Sequence, residues 1–216
     1  KDYIRAILLG VRQRERDGWA GMFSSRVIVW GGPLIGSGDE NNNGVCLDIL
    51  RAFVRKTSRD SIYLEIRNLF DTGRFREAFT QSGFVYREHL NFIVPTADSE
   101  EIERKMSASR RRQIRKSLAL GTRIVEAENL FQVREFHRIL VGLYREKVRK
   151  PLPDWSFFEK FFLHRNRLGV ILLVLTGDTV IGGILCPIFN KDALYEWYVC
   201  GLDELYPRHY PSVMAT

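Results

Sequence analysis

The chain has 216 residues, with 33 Lys and Arg against 26 Asp and Glu for a formal charge of +7, and 45% of its residues are apolar. This composition excludes a disordered or collagen-like chain and leaves room for one large domain or two small ones. The cationic excess suits a polyanionic partner (nucleic acid, a phosphorylated small molecule or a membrane surface), or equally a protein that is merely basic.

Residues 3–11 read as a strand, followed by a polar turn over 14–18 and a second strand over 23–30, rich in Val, Ile and aromatics. Gly31-Gly32-Pro33-Leu34-Ile35 then leads into a loop with Gly36, Gly38 and three consecutive Asn. An amphipathic helix is predicted over 45–56, with Leu47, Leu50, Phe53 and Val54 on its core face. A strand over 61–66, a short helix over 74–82 stopped by Gly83, and a strand over 84–94 ended by Pro95 complete a first α/β block.

Residues 100–121 have the composition of one continuous helix, with Ser99 as N-cap, Glu100, Glu101 and Glu103 in its first turn, and Gly121 as its stop. Ile102, Met106, Ile114 and Leu118 form its apolar stripe, and Arg110 falls inside that stripe. The helix is read as a connector between residues 1–99 and 122–216. The second block begins with a strand over 122–126 and a long helix over 128–148, whose buried face holds Val133, Phe136, Leu140 and Leu143. A Pro-containing break and a helix over 156–163 follow. Strands over 170–175, 179–189 and 193–200 make an antiparallel meander through turns at 176–178 and 190–192, and a helix starts near Pro211. Lys1 enters a strand and Thr216 falls within a helix, so an N-terminal element and a C-terminal strand are expected beyond the two ends.

Cys46, Cys186 and Cys200 lie in apolar surroundings without metal-ligand spacing, which suits a reduced, cytoplasmic interior. The longest apolar run, 170–175, is far short of the roughly 18 residues a spanning helix needs. The four His are scattered, and no Walker loop, G-x-S-x-G or Cys–His signature is present. Metal and cofactor are therefore both read as none.

Four positions break their local pattern. Arg110 sits in an apolar stripe, Lys147 continues the line of Val133, Leu140 and Leu143, and Glu196 alternates with Leu194, Tyr198 and Cys200 on one strand face. Arg145 adds a forked donor near Lys147, suited to phosphate or carboxylate. Each also has a structural reading, as a snorkelling stem, a helix C-terminal charge or a solvent-facing carboxylate. Tyr195, Trp197, Tyr198 and Tyr206 are either core or the wall of a cleft that orients a peptide. The run 110–116 is either a phosphate-binding face or a solvated one.

The second block's element order is that of a GNAT-like (acyl-CoA N-acyltransferase-like) fold. GGPLI (31–35), YLEIRN (63–68), GF (83–84), SRRRQIRKS (109–117) before GTRIV, VIGGIL (180–185), YEWYVCG (195–201) and YP (206–207) together resemble the Fem-type peptidyltransferases. That resemblance implies an α/β chain of two tandem GNAT-like domains with mixed sheets, joined by a helix. It implies an acyl or aminoacyl transfer onto an amine of a peptide or small acceptor such as a peptidoglycan precursor. The implied partners are aminoacyl-tRNA or another activated acyl donor, and a nucleotide-linked or lipid-linked peptide acceptor. On this reading Glu196 and Tyr198 are catalytic, and Arg110, Arg145, Lys147, Tyr195 and Tyr206 bind substrate. In GNAT enzymes a Gly-rich loop cradles the acyl-CoA pyrophosphate. The corresponding residues 202–213 hold no glycine, and Pro207 and Pro211 remove two N–H donors, which argues against acyl-CoA here. Two alternatives stay open: a GNAT-fold N-acyltransferase with an acyl-CoA or other thioester donor, and a non-catalytic nucleic-acid-binding protein.

Overall fold

A computed structural model describes residues 3–14, 24–36, 42–68, 70–90, 92–189 and 193–216. The chain is mixed α/β and divides into two units, Lys1–Ile93 and Val94–Thr216. The turns expected over 14–18 and 190–192 and the Gly38 loop fall wholly or largely outside the described residues.

In the first unit the expected strand over 3–11 is two strands in two sheets. β1 (Ala6–Ile7) pairs antiparallel with β4 (Leu34–Ile35), while β2 (Gly10–Arg14) pairs antiparallel with β3 (Ser25–Trp30). α1 (Asn42–Thr57) carries the chain to β5 (Tyr63–Arg67), which lies parallel to β3. α1 lies close over the β2–β3 pair because Gly10 has no side chain: a Cβ there would stand 2.6 Å from the Phe53 ring and 2.8 Å from Val27. Cys46 and Leu50 of α1 pack with Phe75, on a 3₁₀ turn, and with Ala78 of α2 (Arg76–Gln81). The GGP turn is tied to the end of β5, Gly31 N–H donating to the Arg67 carbonyl at 2.9 Å and Gly32 N–H to Asn68 Oδ1 at 2.9 Å. Gly31 and Gly32 take φ of +76° and +128°, conformations that glycine alone adopts freely.

Two sequence expectations fail here. The described part of 84–94 forms no strand; Val85, Leu90, Phe92 and Ile93 are exposed along an unpaired stretch. β-propensity marks residues that fit a pleated, half-buried surface, and without ladder partners these residues do not form one. Nor is 100–121 one helix. α3 (Ser99–Lys105) ends at Met106, whose backbone is extended, and α4 (Ala108–Ala119) starts afresh. The caps explain the break. Asp98, rather than Ser99, accepts from the Glu100 and Glu101 amides, and Ser107 Oγ accepts from the Arg110 amide at 3.2 Å. Arg111 closes the first helix, its Nη1 donating to the carbonyls of Glu103, Arg104 and Met106 at 3.0, 3.2 and 2.7 Å. Both helices belong to the second unit.

The rest of that unit runs β6 (Thr122–Glu126), α5 (Leu130–Leu143), a π-helical turn (Tyr144–Val148), α6 (Trp155–Leu163) and α7 (Arg165–Leu168). It continues with β7 (Gly169–Thr176), β8 (Thr179–Phe189), β9 (Ala193–Leu194), β10 (Tyr198–Gly201) and α8 (Pro211–Ala215). The sheet has the order β10-β8-β7-β6, all antiparallel, with β9 also on β8. Helices cover both faces. Val133, Phe136 and Leu140 of α5 and Phe158 and Phe161 of α6 pack with Ile171, Leu173 and Leu185. On the other face Met214 and Ala215 of α8, with Ile114 of α4, pack with Val174 and Ile181.

β8 accepts helices on both sides through Gly182 and Gly183. A Cβ on Gly183 would lie 2.6 Å from the Leu172 carbonyl oxygen and 3.2 Å from the Phe136 ring; one on Gly182 would lie 2.8 Å from the Cys200 carbonyl oxygen and 3.2 Å from Pro211. Gly183→Ala should therefore destabilise the protein by about 1–3 kcal/mol through overpacking. Gly142→Ala, where an added methyl on α5 meets nothing within 4 Å, should instead stabilise it by about 0.5–1 kcal/mol. Urea unfolding followed by circular dichroism checks both signs.

His137 sits between the rings of Trp155 and Phe158 at 5.8 and 4.7 Å, and its Nε2 is buried without a hydrogen-bond partner. Burial holds its pKa below 6.5; a bond to the Pro153 carbonyl and the charge of Asp154 oppose that shift, and Arg134 reinforces it. A group depressed in the folded state contributes stability above its unfolded pKa and loses it as pH falls toward the folded value. The melting temperature should accordingly drop on acidification below about pH 6.5, and His137→Phe should flatten that part of the profile.

Candidate functional site

The second unit's sheet has β6 at one edge and β10 at the other, and β10 pairs with β8 alone among the described residues. Leu194 stands opposite Ile188, but Tyr198 stands opposite Leu185, so the register slips by one residue between them. Tyr195 N–H donates to the Pro187 carbonyl at 2.9 Å and Trp197 N–H to the Leu185 carbonyl at 3.1 Å. Trp197 and Tyr198 thus both face Leu185, which is a β-bulge. A one-residue slip exchanges the faces of a strand. Leu194 and Tyr198 therefore lie on opposite sides of the sheet, against the expected alternation of 194, 196, 198 and 200. Glu196 lies on the bulged segment and is exposed, whereas Tyr198 and Cys200 are buried.

Tyr198 points into the α5–α6 layer. Its ring stacks on Trp197 at 5.3 Å and meets Phe158, Phe157 and Tyr144 at 5.5, 6.0 and 6.3 Å. Burial, then the neighbouring Tyr144, pushes its phenol above the ordinary tyrosine range, so it stays protonated. The thiols are equally unreactive. Burial raises Cys46 to about 11 and Cys186 to about 12, the charge of Glu196 adding to the latter; Cys200, raised chiefly by burial, points its Sγ to the Phe136 carbonyl at 3.9 Å. None supplies a thiolate at neutral pH.

The three cationic candidates each have a partner of their own. The π turn after α5 changes the helix phase, so Lys147 leaves the line of Val133, Leu140 and Leu143 and becomes exposed. Its Nζ bonds Glu204 Oε1 at 2.6 Å, and each partner shifts the other's pKa toward its charged form. Arg145 reaches Glu146 at 3.0 Å on the same turn. Arg110 is tied to α8, its Nη2 donating to the Val213 carbonyl at 3.3 Å and to Thr216 Oγ1. The aromatic group is split too. Tyr195 is half-buried on the bulged segment, and Tyr206 packs with Val174, Ile181 and Met214 on the face away from Tyr198.

Sequence reasoning passed over Tyr144 and Glu204, whose partners lie far away in sequence, and Asp203. Asp203 Oδ1 accepts from the Ser212 amide at 3.1 Å and Oδ2 from the Ser212 hydroxyl, so a carboxylate occupies the first turn of α8. A Cβ on Gly201 would collide with the Ser212 amide, so strand and helix meet with no room between. His209 fixes the same loop to the α4–β6 corner, its Nδ1 2.8 Å from Thr122 Oγ1 and its carbonyl accepting from Ser117 Oγ. The acid eight residues before a Pro-Ser helix start was the available signal for this cap.

Among the described residues no three His, Cys, Asp or Glu side chains gather as a metal site, and no helix is long and apolar enough to cross a membrane. No family model and no curated protein matches the chain.

The segment between β10 and α8 presents two prolines and the Asp203 carboxylate, with no run of glycine amides to hold a pyrophosphate. Isothermal titration with acetyl-CoA should give no heat of binding at the β10–α8 junction. A micromolar affinity lost on changing residues of that loop would contradict this account.

Proposed function

We propose that the chain is an acyltransferase of the Fem-like, GNAT-fold kind, with two tandem GNAT-like domains, that moves an activated acyl group onto an amine of a peptide or small acceptor. The observation that carries this reading is the bulged, open edge of β10 with Glu196 on its solvent side. Leu202 N–H donates to the Ile181 carbonyl at 2.9 Å, and antiparallel residues alternate in the direction of their amides. The amides of Val199 and Gly201 consequently face away from β8. Val199 N–H is a preorganised donor for an oxyanion, the kind of group acyl transfer requires.

In the proposed reaction the acceptor amine attacks the acyl carbonyl carbon. The carbonyl oxygen becomes an oxyanion held by the edge amide, and Glu196 takes the amine proton as the nitrogen–carbon bond forms. Collapse breaks the ester bond, and the proton passes to the departing oxygen. Tyr195 flanks the segment and Tyr198 supports it from beneath, while Arg145 and Lys147 offer charges for the phosphates of a nucleotide-linked or lipid-linked acceptor. The filled α8 terminus favours aminoacyl-tRNA or another activated ester over acyl-CoA as donor.

Single-turnover assays test this with labelled aminoacyl-tRNA, an aminoacyl ester and acetyl-CoA as donors, and UDP-linked muropeptides or simple amines as acceptors. Transfer from the ester donors is expected. Glu196→Gln should retain the fold and slow turnover by about 10²-fold or more. No transfer from any donor would end the acyltransferase reading, whereas RNA binding without transfer would return the chain to the nucleic-acid-binding class.

A further inference from the structure

We propose that the outward face of α4 docks the chain onto an anionic lipid surface. Ala108, Arg112, Arg115 and Ala119 recur at helical spacing on the side away from the sheet and, with Arg111 and Lys116, line a shallow open depression. The small alanines at both ends leave the long cationic side chains standing clear. The basic run is not uniform. Arg110 is bonded to α8, Arg111 to the last carbonyls of α3, and Arg115 to Glu103 at 3.1 Å. Arg112 and Lys116 are exposed and four residues apart, so they project side by side along one face, and neither has an anionic partner among the described residues.

Two apolar side chains flank the C-terminal end of this face. Leu118 is 53% exposed on the Arg111 side and Leu120, just past the helix, is 41% exposed on the Lys116 side. Exposed leucines beside unpaired cations suit an interface where charges meet lipid phosphates and aliphatic tips enter the acyl boundary. A nucleic-acid partner is less well served. Residues 99–129 contain no aromatic ring on which a base could stack. Docking this face does not depend on the proposed acyl transfer.

The test is co-sedimentation of the whole chain with vesicles of phosphatidylcholine alone or mixed with phosphatidylglycerol, beside fluorescence anisotropy with a labelled RNA hairpin. Binding to the mixed vesicles alone is expected, falling as salt rises. Arg112→Gln with Lys116→Gln should weaken it by about tenfold or more, and Leu118→Ser with Leu120→Ser should weaken it at unchanged charge. Circular dichroism shows whether each variant is folded; if the glutamine pair is not, the salt series on the parent chain and the serine pair decide. No binding to anionic vesicles, binding indifferent to either pair, or tighter binding to the hairpin than to the vesicles would each overturn the proposal.

Discussion

The second unit depends on two adjacent residues without side chains. Gly182 and Gly183 stand where the central strand must admit Phe136 of α5 on one face and Pro211 of α8 on the other. Any Cβ at either position would meet a backbone carbonyl before it met a side chain, so the neighbouring strands could not yield by changing rotamers. Helices thus approach the sheet closely from both sides, and the apolar positions of β7 divide between two cores: Leu173 to the α5–α6 layer and Val174 to the α4–α8 layer. The close approach of α8 also brings Ser212 against Gly201, within reach of Asp203.

That packing fixes what is left for chemistry. The groups with intrinsic nucleophilic or acidic character near β10, namely Cys186, Cys200 and Tyr198, are buried and held protonated. The acidic and basic side chains that are accessible lie on the rim: Glu196 on the bulge, and the Lys147–Glu204 pair between the π turn and the β10–α8 loop. For the proposed acyl transfer, such a distribution suits backbone dipoles and positioned substrates rather than a covalent enzyme intermediate.

Much of the second unit was legible in the sequence because its signals were local. The turn at 176–178, the continuous apolar strand over 170–175 and the face of Val133, Phe136 and Leu140 each follow from a few neighbouring residues. What failed was phase. A bulge at Trp197 and a π turn at Tyr144 each shift the register, and either is enough to move every later side chain to another face. Lys147 therefore leaves the line of Val133, Leu140 and Leu143, and Glu196 does not share a face with Tyr198 and Cys200. The break at Met106 was missed for another reason: composition favours a helix across it, and only the Ser107 cap and the Arg111 bonds reveal two helices. In the first unit, the β-rich stretch after Gly83 carried the right residue types, but strand formation is settled by a partner that local pattern does not reveal.

The Asp203 cap has a consequence for selectivity among anions. A tethered carboxylate at the first turn of α8 acts as an intramolecular ligand, and a short tether gives it a millimolar-scale effective concentration, independent of the surroundings. A free phosphate or pyrophosphate arriving there must displace a competitor that never diffuses away. Like charge opposes its approach as well. The first turn of α8 thus has its anion-accepting groups already engaged from within the chain.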